Sequence, residues 1–169
     1  THRIMNILFE HTEFINMNTF VYARVSTGDQ TNENQLLEIE QAGYEADTIY
    51  TDTVSGKVPA DERPEFSKML DTVTRTRKPN RLVVTKLDRL GRDAIDIMTT
   101  VKRFSELGCA VRVLQLGDLD LTSSAGKLVL STLSAVAEIE HDLLVERTNA
   151  GLARAKAEGK TLGRPKVTN

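Results

Sequence analysis

Short apolar runs alternate with helical patterns along most of the chain. The apolar runs predict four strands, at residues 20–25, 48–50, 82–84 and 110–116. Apolar residues at helical spacing predict three intervening helices, over residues 32–42, 64–74 and 93–107. Strands that alternate with helices predict an α/β fold, with an open, mainly parallel sheet of four to five strands flanked by helices.

The last helical pattern is much longer than the others. It begins near Ser123 and Ser124, which are candidate N-cap residues, and runs to about residue 158. At ~1.5 Å per residue such a helix spans roughly 50 Å, more than a domain of this size. Its apolar residues lie on more than one stripe, so we expect it to pack against the same helix of a second copy. A helix that frays after Leu144 and lies on its own sheet is the alternative.

Length and composition limit the class of protein. The 169 residues suit one domain of ordinary size. No apolar stretch approaches the roughly 18–20 residues of a membrane span, so no membrane partner is expected. The single cysteine, Cys109, excludes an intramolecular disulfide and a zinc site built from cysteines, and it favours a cytoplasmic location.

Basic residues are concentrated at the end of the chain, although the net charge is only −2. Between Arg147 and Asn169, Glu158 is the one acidic residue. The basic residues of this segment are Arg147, Arg154, Lys156, Lys160, Arg164 and Lys166. A solvated helix end would explain part of this pattern. Because the basic residues continue beyond the helix, the segment also predicts a linker that follows a DNA backbone or enters a minor groove.

The strand at 20–25 carries polar side chains into the predicted sheet. Because side chains alternate along a strand, Tyr22, Arg24 and Ser26 share one face. A guanidinium and a hydroxyl then meet at the carboxyl end of a strand, where open α/β sheets bind ligands. An unpaired buried charge is costly, so Arg24 requires an anionic partner. That partner is either a structural carboxylate beside a turn serine or a bound anion.

A second cluster of charges, at residues 86–92, directly follows the apolar run at 82–84. It places a lysine, an aspartate and two arginines in one strand-to-helix loop. A solvated turn is the simplest interpretation of such a run. However, two strands that each deliver arginine to one sheet edge form an anion clamp, and arginine suits bidentate phosphate binding. With Ser26 as nucleophile, the same groups indicate phosphoryl transfer.

Two other enzyme classes lack their signatures in this sequence. A serine hydrolase needs a base, but His2, His11 and His141 form no recognisable arrangement, and there is no G-x-S-x-G elbow. A nucleotide-dependent enzyme needs a phosphate loop such as G-x-x-x-x-G-K-[ST], which the sequence lacks.

Several short motifs occur together along the chain. They are Tyr22-Ala-Arg-Val-Ser-Thr27, Asp29-Gln30, Gln35, Thr51-Asp52 with Ser55-Gly56, Arg63-Pro64, Lys86-Leu-Asp-Arg-Leu-Gly-Arg92, and Ala137-Glu138 through Glu146-Arg147-Thr148. In these motifs, which cover about residues 19–166, the chain resembles the serine site-specific recombinases, the family of transposon resolvases and phage DNA invertases. Each motif alone is weak, but the ordered set is highly specific.

The resemblance implies a DNA strand-exchange enzyme with Ser26 as its nucleophile. In this family the serine attacks a backbone phosphate and leaves a 5′-phosphoserine link and a free 3′-hydroxyl. Four subunits cut all strands, one half of the synapse rotates, and the hydroxyls then reverse the attack. Because the bond energy is kept in the protein–DNA ester, the resemblance implies no ATP, no metal and no other cofactor.

The resemblance also implies roles for individual side chains. By matching position, the residues that bind the scissile phosphate are Arg24, Arg63, Arg89 and Arg92. Asp88 orients these arginines or assists proton transfer. Three further residues, Gln35, Asp52 and Ser55, complete the site, and Tyr22 supports it from beneath.

The expected organisation and partners follow from the same resemblance. We expect an N-terminal extension at 1–18 (from cloning or upstream sequence), a catalytic domain at 19–122, an oligomerisation helix at 123–158 and a basic linker at 159–169. The resemblance also leads us to expect that this sequence lacks the family's usual C-terminal helix-turn-helix domain. The implied partners are double-stranded DNA, a second subunit, a tetramer in the active synapse and, as further candidates, accessory DNA-bending proteins.

Two features depart from the family pattern. The loop from Gly56 to Arg63 is about two residues longer than in many relatives, so the match of Arg63 depends on the Pro64-Glu65-Phe66 context. His141 stands where relatives commonly have an arginine, and an ordinary surface histidine is the favoured interpretation. The choice between resolution, inversion and integration stays open. A DNA-binding relative without catalysis, or an inactive fragment, is the alternative function.

Overall fold

The computed structural model describes residues 17–26 and 32–160. The strands are β1 (Asn18–Val25), β2 (Thr48–Thr53), β3 (Asn80–Val84), β4 (Cys109–Val113) and β5 (Leu119–Asp120). The helices are α1 (Glu33–Gln41), α2 (Pro64–Arg75), α3 (Ala94–Glu106) and α4 (Ser124–Ala157). The five strands form one sheet in the order β2-β1-β3-β4-β5, in which only β5 is antiparallel to its neighbour. The predicted fold class is therefore confirmed.

Strand β1 lies inside the sheet, between β2 and β3, and runs parallel to both. Its nearly continuous burial is typical of a strand covered on both faces. Tyr22 packs into the main core, beneath α2 and α3, whereas Val21 packs into a smaller cluster with Ile39 of α1. The alternation therefore places Arg24 on the same face as Tyr22, as predicted. Because β1, β2 and β3 are parallel, their carboxyl ends meet at one edge of the sheet.

The predicted strand at 110–116 is wrong in its second half. Strand β4 ends at Val113, and Leu114–Leu116 form a 3₁₀ turn. The chain then passes through Gly117 and Asp118, both in the left-handed region at φ 70° and 58°, and returns as β5. An apolar run does not distinguish a strand from a buried turn, and the reversal needs the left-handed residues that follow.

The start of α4 is fixed by a side-chain cap and a close contact. The Oγ of Ser123 accepts a hydrogen bond of 3.0 Å from the Gly126 N–H, so Ser123 is the N-cap residue. A Cβ on Gly126 would lie 2.1 Å from the Asp120 carbonyl oxygen. Only glycine allows the first turn of α4 to approach the end of β5 this closely.

Helix α4 continues without a break through Gly151, so it does not fray after Leu144. The chain divides into two compact units inside this helix: one ends at Ser131 and the second begins at Thr132. The predicted domain limits stay a prediction. Exposed large apolar side chains in the second unit are Leu133, Val136, Ile139, Leu143, Leu144, Val145 and Leu152. Among the described residues, no helix is both long and apolar enough to cross a membrane.

Two predicted segments fall largely outside the described part of the chain. Of the N-terminal extension at 1–18, only Met17 and Asn18 are described, and Asn18 already belongs to β1. Of the basic linker at 159–169, the structure describes only Gly159 and Lys160. Arg164 and Lys166 lie outside the described residues.

Candidate active site

Ser26 is exposed and follows β1 directly, at the carboxyl edge of the sheet. The loop that holds Ser55 follows β2 at this edge, and the 3₁₀ turn Leu87–Arg89 follows β3. The segments that follow these three neighbouring parallel strands therefore lie together at the carboxyl edge of the sheet. This is the position at which open α/β sheets bind ligands.

The guanidinium of Arg24 is buried and held in place by two partners. Its Nη1 donates to the Val54 carbonyl oxygen at 2.8 Å, and its Nη2 lies 3.1 Å from Oδ2 of Asp88. Its Nε is buried and has no hydrogen-bond partner in the described part of the chain. Gly56 packs against this group, since a Cβ there would lie 3.0 Å from Nη2. Arg24 thus has an anionic partner, as its burial required.

Asp88 joins two arginines through one oxygen atom. The Oδ2 that pairs with Arg24 also accepts a hydrogen bond of 2.6 Å from Nη1 of Arg89. The Asp88 side chain is 56% exposed, whereas those of Arg24 and Arg89 are 7% and 10% exposed. Burial lowers the pKa of Arg89, and the Asp88 carboxylate opposes that change. Two largely desolvated cations therefore share one accessible anion.

Gln35 connects α1 to both arginines. Its Nε2 donates to the Arg24 carbonyl oxygen at 3.0 Å, and its Oε1 accepts from the Arg24 N–H at 3.4 Å. The same Oε1 accepts a hydrogen bond of 2.8 Å from Nε of Arg89. The amide thus fixes the backbone two residues before Ser26 and the side chain of an arginine from the next loop.

Arg63 lies beneath the site and is fully buried. Its Nε donates to the Val58 carbonyl oxygen at 3.0 Å, and its Nη1 donates to the Arg89 carbonyl oxygen at 2.6 Å. Its Nη2 is buried and, among the described residues, has no hydrogen-bond partner. Arg63 therefore links the loop after β2 to the turn after β3.

Asp52 and Tyr22 form a buried support for the site. The Tyr22 hydroxyl donates to Oδ2 of Asp52 at 3.0 Å. The same carboxylate accepts the N–H groups of Glu65 and Phe66, at 3.1 Å each, and so caps α2. Burial raises the pKa of Tyr22, and the Asp52 charge raises it further. The phenol is therefore a neutral donor and not a proton-transfer group near neutral pH.

Ser55 and Arg92 lie at the exposed rim, and their described contacts are local. The Ser55 Oγ accepts a hydrogen bond of 3.3 Å from the Lys57 N–H. The Arg92 Nε donates to Oδ2 of Asp93 at 3.1 Å, and both side chains are about half exposed. The structure thus connects Arg24, Gln35, Arg63, Asp88 and Arg89 through the hydrogen bonds above, and it joins Tyr22 and Asp52 as a separate pair. It does not bring Ser55 or Arg92 into that network.

The basic residues of the last helix form a separate set. Arg147, Arg154 and Lys156 are exposed on α4, and Lys160 pairs with Glu158 at 2.7 Å. His141 is exposed, with Nδ1 3.8 Å from Oδ1 of Asp142. This environment fits the interpretation of His141 as a surface histidine.

Sequence reasoning assigned no role to Asp96, in the first turn of α3. Its Oδ2 accepts hydrogen bonds from the N–H groups of Arg92 and Ala60, at 2.8 and 3.1 Å. The sequence does contain a capping pattern at this position. Asp93 is the N-cap residue of α3, and Asp96 stands three positions later, where a capping box carries its second polar side chain. No sequence pattern predicts the hydrogen bond to the Ala60 N–H, because Ala60 is distant from Asp96 in the sequence.

The family model for the resolvase N-terminal domain matches residues 19–161. The chain is 50% identical over 152 residues to the Transposon Tn2501 resolvase of Escherichia coli, which covers 89% of this chain and 77% of that protein. It is 48% identical over 152 residues to the serine recombinase PinR of Escherichia coli K12, with 89% and 76% covered. It is also 39% identical over 153 residues to the DNA-invertase hin of Salmonella typhimurium, with 90% and 76% covered.

Solved structures agree with this match. The N-terminal catalytic domain of TP901-1 integrase superposes with a TM-score of 0.58 at 28% identity, covering 75% of this chain and 98% of that one. A resolvase family site-specific recombinase from Streptococcus pneumoniae superposes with a TM-score of 0.56 at 27% identity, covering 83% and 99%. The chain therefore belongs to the resolvase family of serine recombinases, which are site-specific DNA strand-exchange enzymes. The predicted family and enzyme class are confirmed.

Proposed function

We propose that this recombinase cuts and rejoins DNA through a covalent link between Ser26 and a 5′-phosphate. The Ser26 oxygen attacks the phosphorus and loses its proton, a serine–phosphate ester bond forms, and the bond from phosphorus to the 3′-oxygen breaks. The 3′-oxygen leaves with a proton as a free hydroxyl. Attack by a 3′-hydroxyl on the ester reverses each change and releases Ser26. The number of phosphodiester bonds is conserved, so the cycle consumes no nucleotide.

The observation that carries this proposal is the shared carboxylate at the carboxyl edge of the sheet. Arg24 and Arg89 are largely buried, and both pair with Oδ2 of Asp88, whose side chain is 56% exposed. Because this carboxylate is accessible to solvent, a phosphate oxygen can replace it between the two guanidiniums. Arginine donors fixed in this way stabilise the charge that develops on the phosphate, and removal of one such donor typically costs about 2.7–4 kcal/mol of transition-state stabilisation.

In this proposal some predicted site residues contact the phosphate and others hold those residues in place. Nε of Arg24 and Nη2 of Arg63 are buried donors without a described partner, so we assign them to the phosphate. Arg92 and Ser55 lie at the rim and reach the phosphate or the neighbouring backbone only once DNA is bound. Tyr22, Asp52 and Gln35 hold the arginines and the Ser26 strand in place.

We further propose that the active assembly is a homodimer that pairs into a tetramer on double-stranded DNA in the cytoplasm, where it associates with the nucleoid. The exposed apolar residues of α4 supply a surface that a second α4 can cover. Arg147, Arg154, Lys156 and Lys160 are exposed in the same segment and are suited to phosphate contacts. Accessory DNA-bending proteins would act on the DNA between sites.

The decisive experiment compares the wild-type chain with Ser26→Ala on supercoiled DNA that carries the region flanking its gene. Wild-type protein should form a protein–DNA adduct that survives a denaturing gel. Ser26→Ala should bind the same DNA with unchanged affinity and form no adduct. An adduct in the Ser26→Ala variant would refute the assignment of the nucleophile. Persistent binding without any nicking or adduct by wild-type protein would favour a non-catalytic DNA-binding role.

A further inference from the structure

One carboxylate oxygen joins the two loops that carry predicted phosphate-binding arginines. Oδ2 of Asp96 accepts the Ala60 N–H at 3.1 Å and the Arg92 N–H at 2.8 Å. Ala60 is buried and stands three residues before Arg63, in the 3₁₀ turn Ala60–Glu62. Asp96 therefore connects the loop after β2, which holds Arg63, to the end of the loop after β3.

The geometry around Asp96 is tightly constrained. The Asp96 N–H donates to Oδ1 of Asp93 at 2.9 Å, which fixes the first turn of α3. A Cβ on Gly91 would lie 2.6 Å from the Ile97 nitrogen and 3.0 Å from Oδ2 of Asp96. The loop that carries Arg89 and Arg92 is thus pressed against this turn at a position where only glycine fits. The carboxylate has little freedom to move away from its two donors.

We propose that Asp96 is a positioning residue for strand exchange: it holds the loop of Arg63 and the loop of Arg92 at a fixed separation. The proposal rests on the proposed function, because it assumes that both arginines serve the phosphate. The site draws its cations from separate loops, so a displacement of one loop by ~1 Å is enough to lower the rate about 100-fold. Asp96 acts through these arginines and does not itself contact the DNA.

The arrangement separates the effect of hydrogen bonding from the effect of charge. Both N–H groups donate to the same oxygen of Asp96. The amide oxygen of an asparagine can accept both bonds, although the side chain carries no charge. Asp96→Asn should therefore keep the two loops together, whereas Asp96→Ala leaves the buried Ala60 N–H without its acceptor.

The test measures single-turnover formation of the protein–DNA adduct by the full chain, together with DNA affinity and thermal stability. We expect Asp96→Ala to form the adduct about 10- to 100-fold more slowly at a temperature where it is fully folded, with unchanged DNA affinity. Asp96→Asn should restore the rate to within a few-fold of wild type. Asp71→Ala, the same change at an exposed position of α2, serves as the matched control and should react like wild type.

A second measurement does not depend on activity. Amide hydrogen exchange at Ala60 and Arg92 should be faster in Asp96→Ala than in wild type, and near wild type in Asp96→Asn. Unchanged exchange and an unchanged adduct rate in Asp96→Ala would overturn the proposal, as would an Asp96→Asn rate as low as that of Asp96→Ala. If wild-type protein itself forms no adduct, the proposed function fails, and hydrogen exchange still decides whether Asp96 holds the two loops.

Discussion

The ion pair between Arg24 and Asp88 is buried on one side and exposed on the other. Nη2 of Arg24 lies 3.1 Å from Oδ2 of Asp88, and the two side chains are 7% and 56% exposed. The cation is desolvated and fixed, whereas the anion faces solvent and can be displaced. An arginine placed in this way is prepared for a second anion, and its carboxylate partner holds it in position until that anion arrives.

Replacement of the carboxylate should therefore impair both catalysis and stability. In Asp88→Asn we expect adduct formation to slow about 100-fold, because Arg24 and Arg89 lose the charge that aligns them. The free energy of unfolding should also fall, by about 1–3 kcal/mol, because two largely buried guanidiniums lose their shared anion and keep only an amide oxygen as acceptor. Single-turnover cleavage and thermal unfolding measure the two effects.

The matched control for this variant is Glu106→Gln. Glu106 pairs with Lys102 at 3.9 Å on the exposed side of α3, so its replacement makes the same change of charge away from the site. Cleavage by Asp88→Asn at the rate of Glu106→Gln would show that Asp88 does not orient the arginines.

Gly56 should control the position of the Arg24 guanidinium. A Cβ at residue 56 would lie 3.0 Å from Nη2 and 3.4 Å from Cζ of Arg24. In Gly56→Ala we expect this end of the side chain to move by a few tenths of an ångström and weaken its contact with Asp88. Cleavage should slow about 10-fold, with a melting temperature close to wild type, because only the end of a side chain is displaced.

Gly151→Ala is the corresponding glycine control. Nothing lies within 4 Å of a Cβ at this position in α4, so the variant should be as stable as wild type or up to about 1 kcal/mol more stable. A Gly56→Ala variant that cleaves at the wild-type rate would mean that the guanidinium tolerates the displacement.

The network around Arg24 could be predicted only in part from the sequence. The strand pattern at 20–25 and the charges at 86–92 were enough to place Arg24, Asp88 and Arg89 at one sheet edge, because parallel strands align their carboxyl ends. The full burial of Arg63 and the bonds of Gln35 were not predictable. They depend on how the loop after β2 and helix α1 pack against the sheet, and no local periodicity encodes this.

The fold itself followed from periodicity, with one region as the exception. Strand β5 has only two residues, too few to show an alternation. The apolar residues of Leu114–Leu116 continued the pattern of β4, although the backbone turns there. In that region the left-handed conformations of Gly117 and Asp118 determine where the backbone reverses. The pattern of hydrophobic residues does not predict these conformations.

Asp52 should contribute to stability through three donors at once. Its buried carboxylate accepts the Tyr22 hydroxyl and two N–H groups of α2. An asparagine offers only one acceptor oxygen, so Asp52→Asn should lose about 1–3 kcal/mol of unfolding free energy. Tyr22→Phe leaves the cap of α2 intact and should lose less, about 1 kcal/mol. Urea unfolding tests this order, and equal losses in the two variants would contradict the capping role of Asp52.

The buried thiol of Cys109 should make the protein less stable in alkali. Burial raises the pKa of this thiol from its ordinary value of 9.0 to about 12. Folding therefore favours the protonated form, so the contribution is fully present below pH 9 and is lost as the pH rises from about 9 to 12. The loss approaches about 1.4 kcal/mol of unfolding free energy per pH unit in this range.

Urea unfolding of wild type and Cys109→Ala at pH 8, 9.5 and 11 isolates this contribution. We expect the free energy of unfolding to decrease less steeply with pH in Cys109→Ala. Part of the decrease should persist, because burial and Asp118 also raise the pKa of Tyr44 to about 12, and Tyr44→Phe should reduce that part. Identical pH dependence in wild type and Cys109→Ala would show that the thiol is not shielded from water in the folded protein.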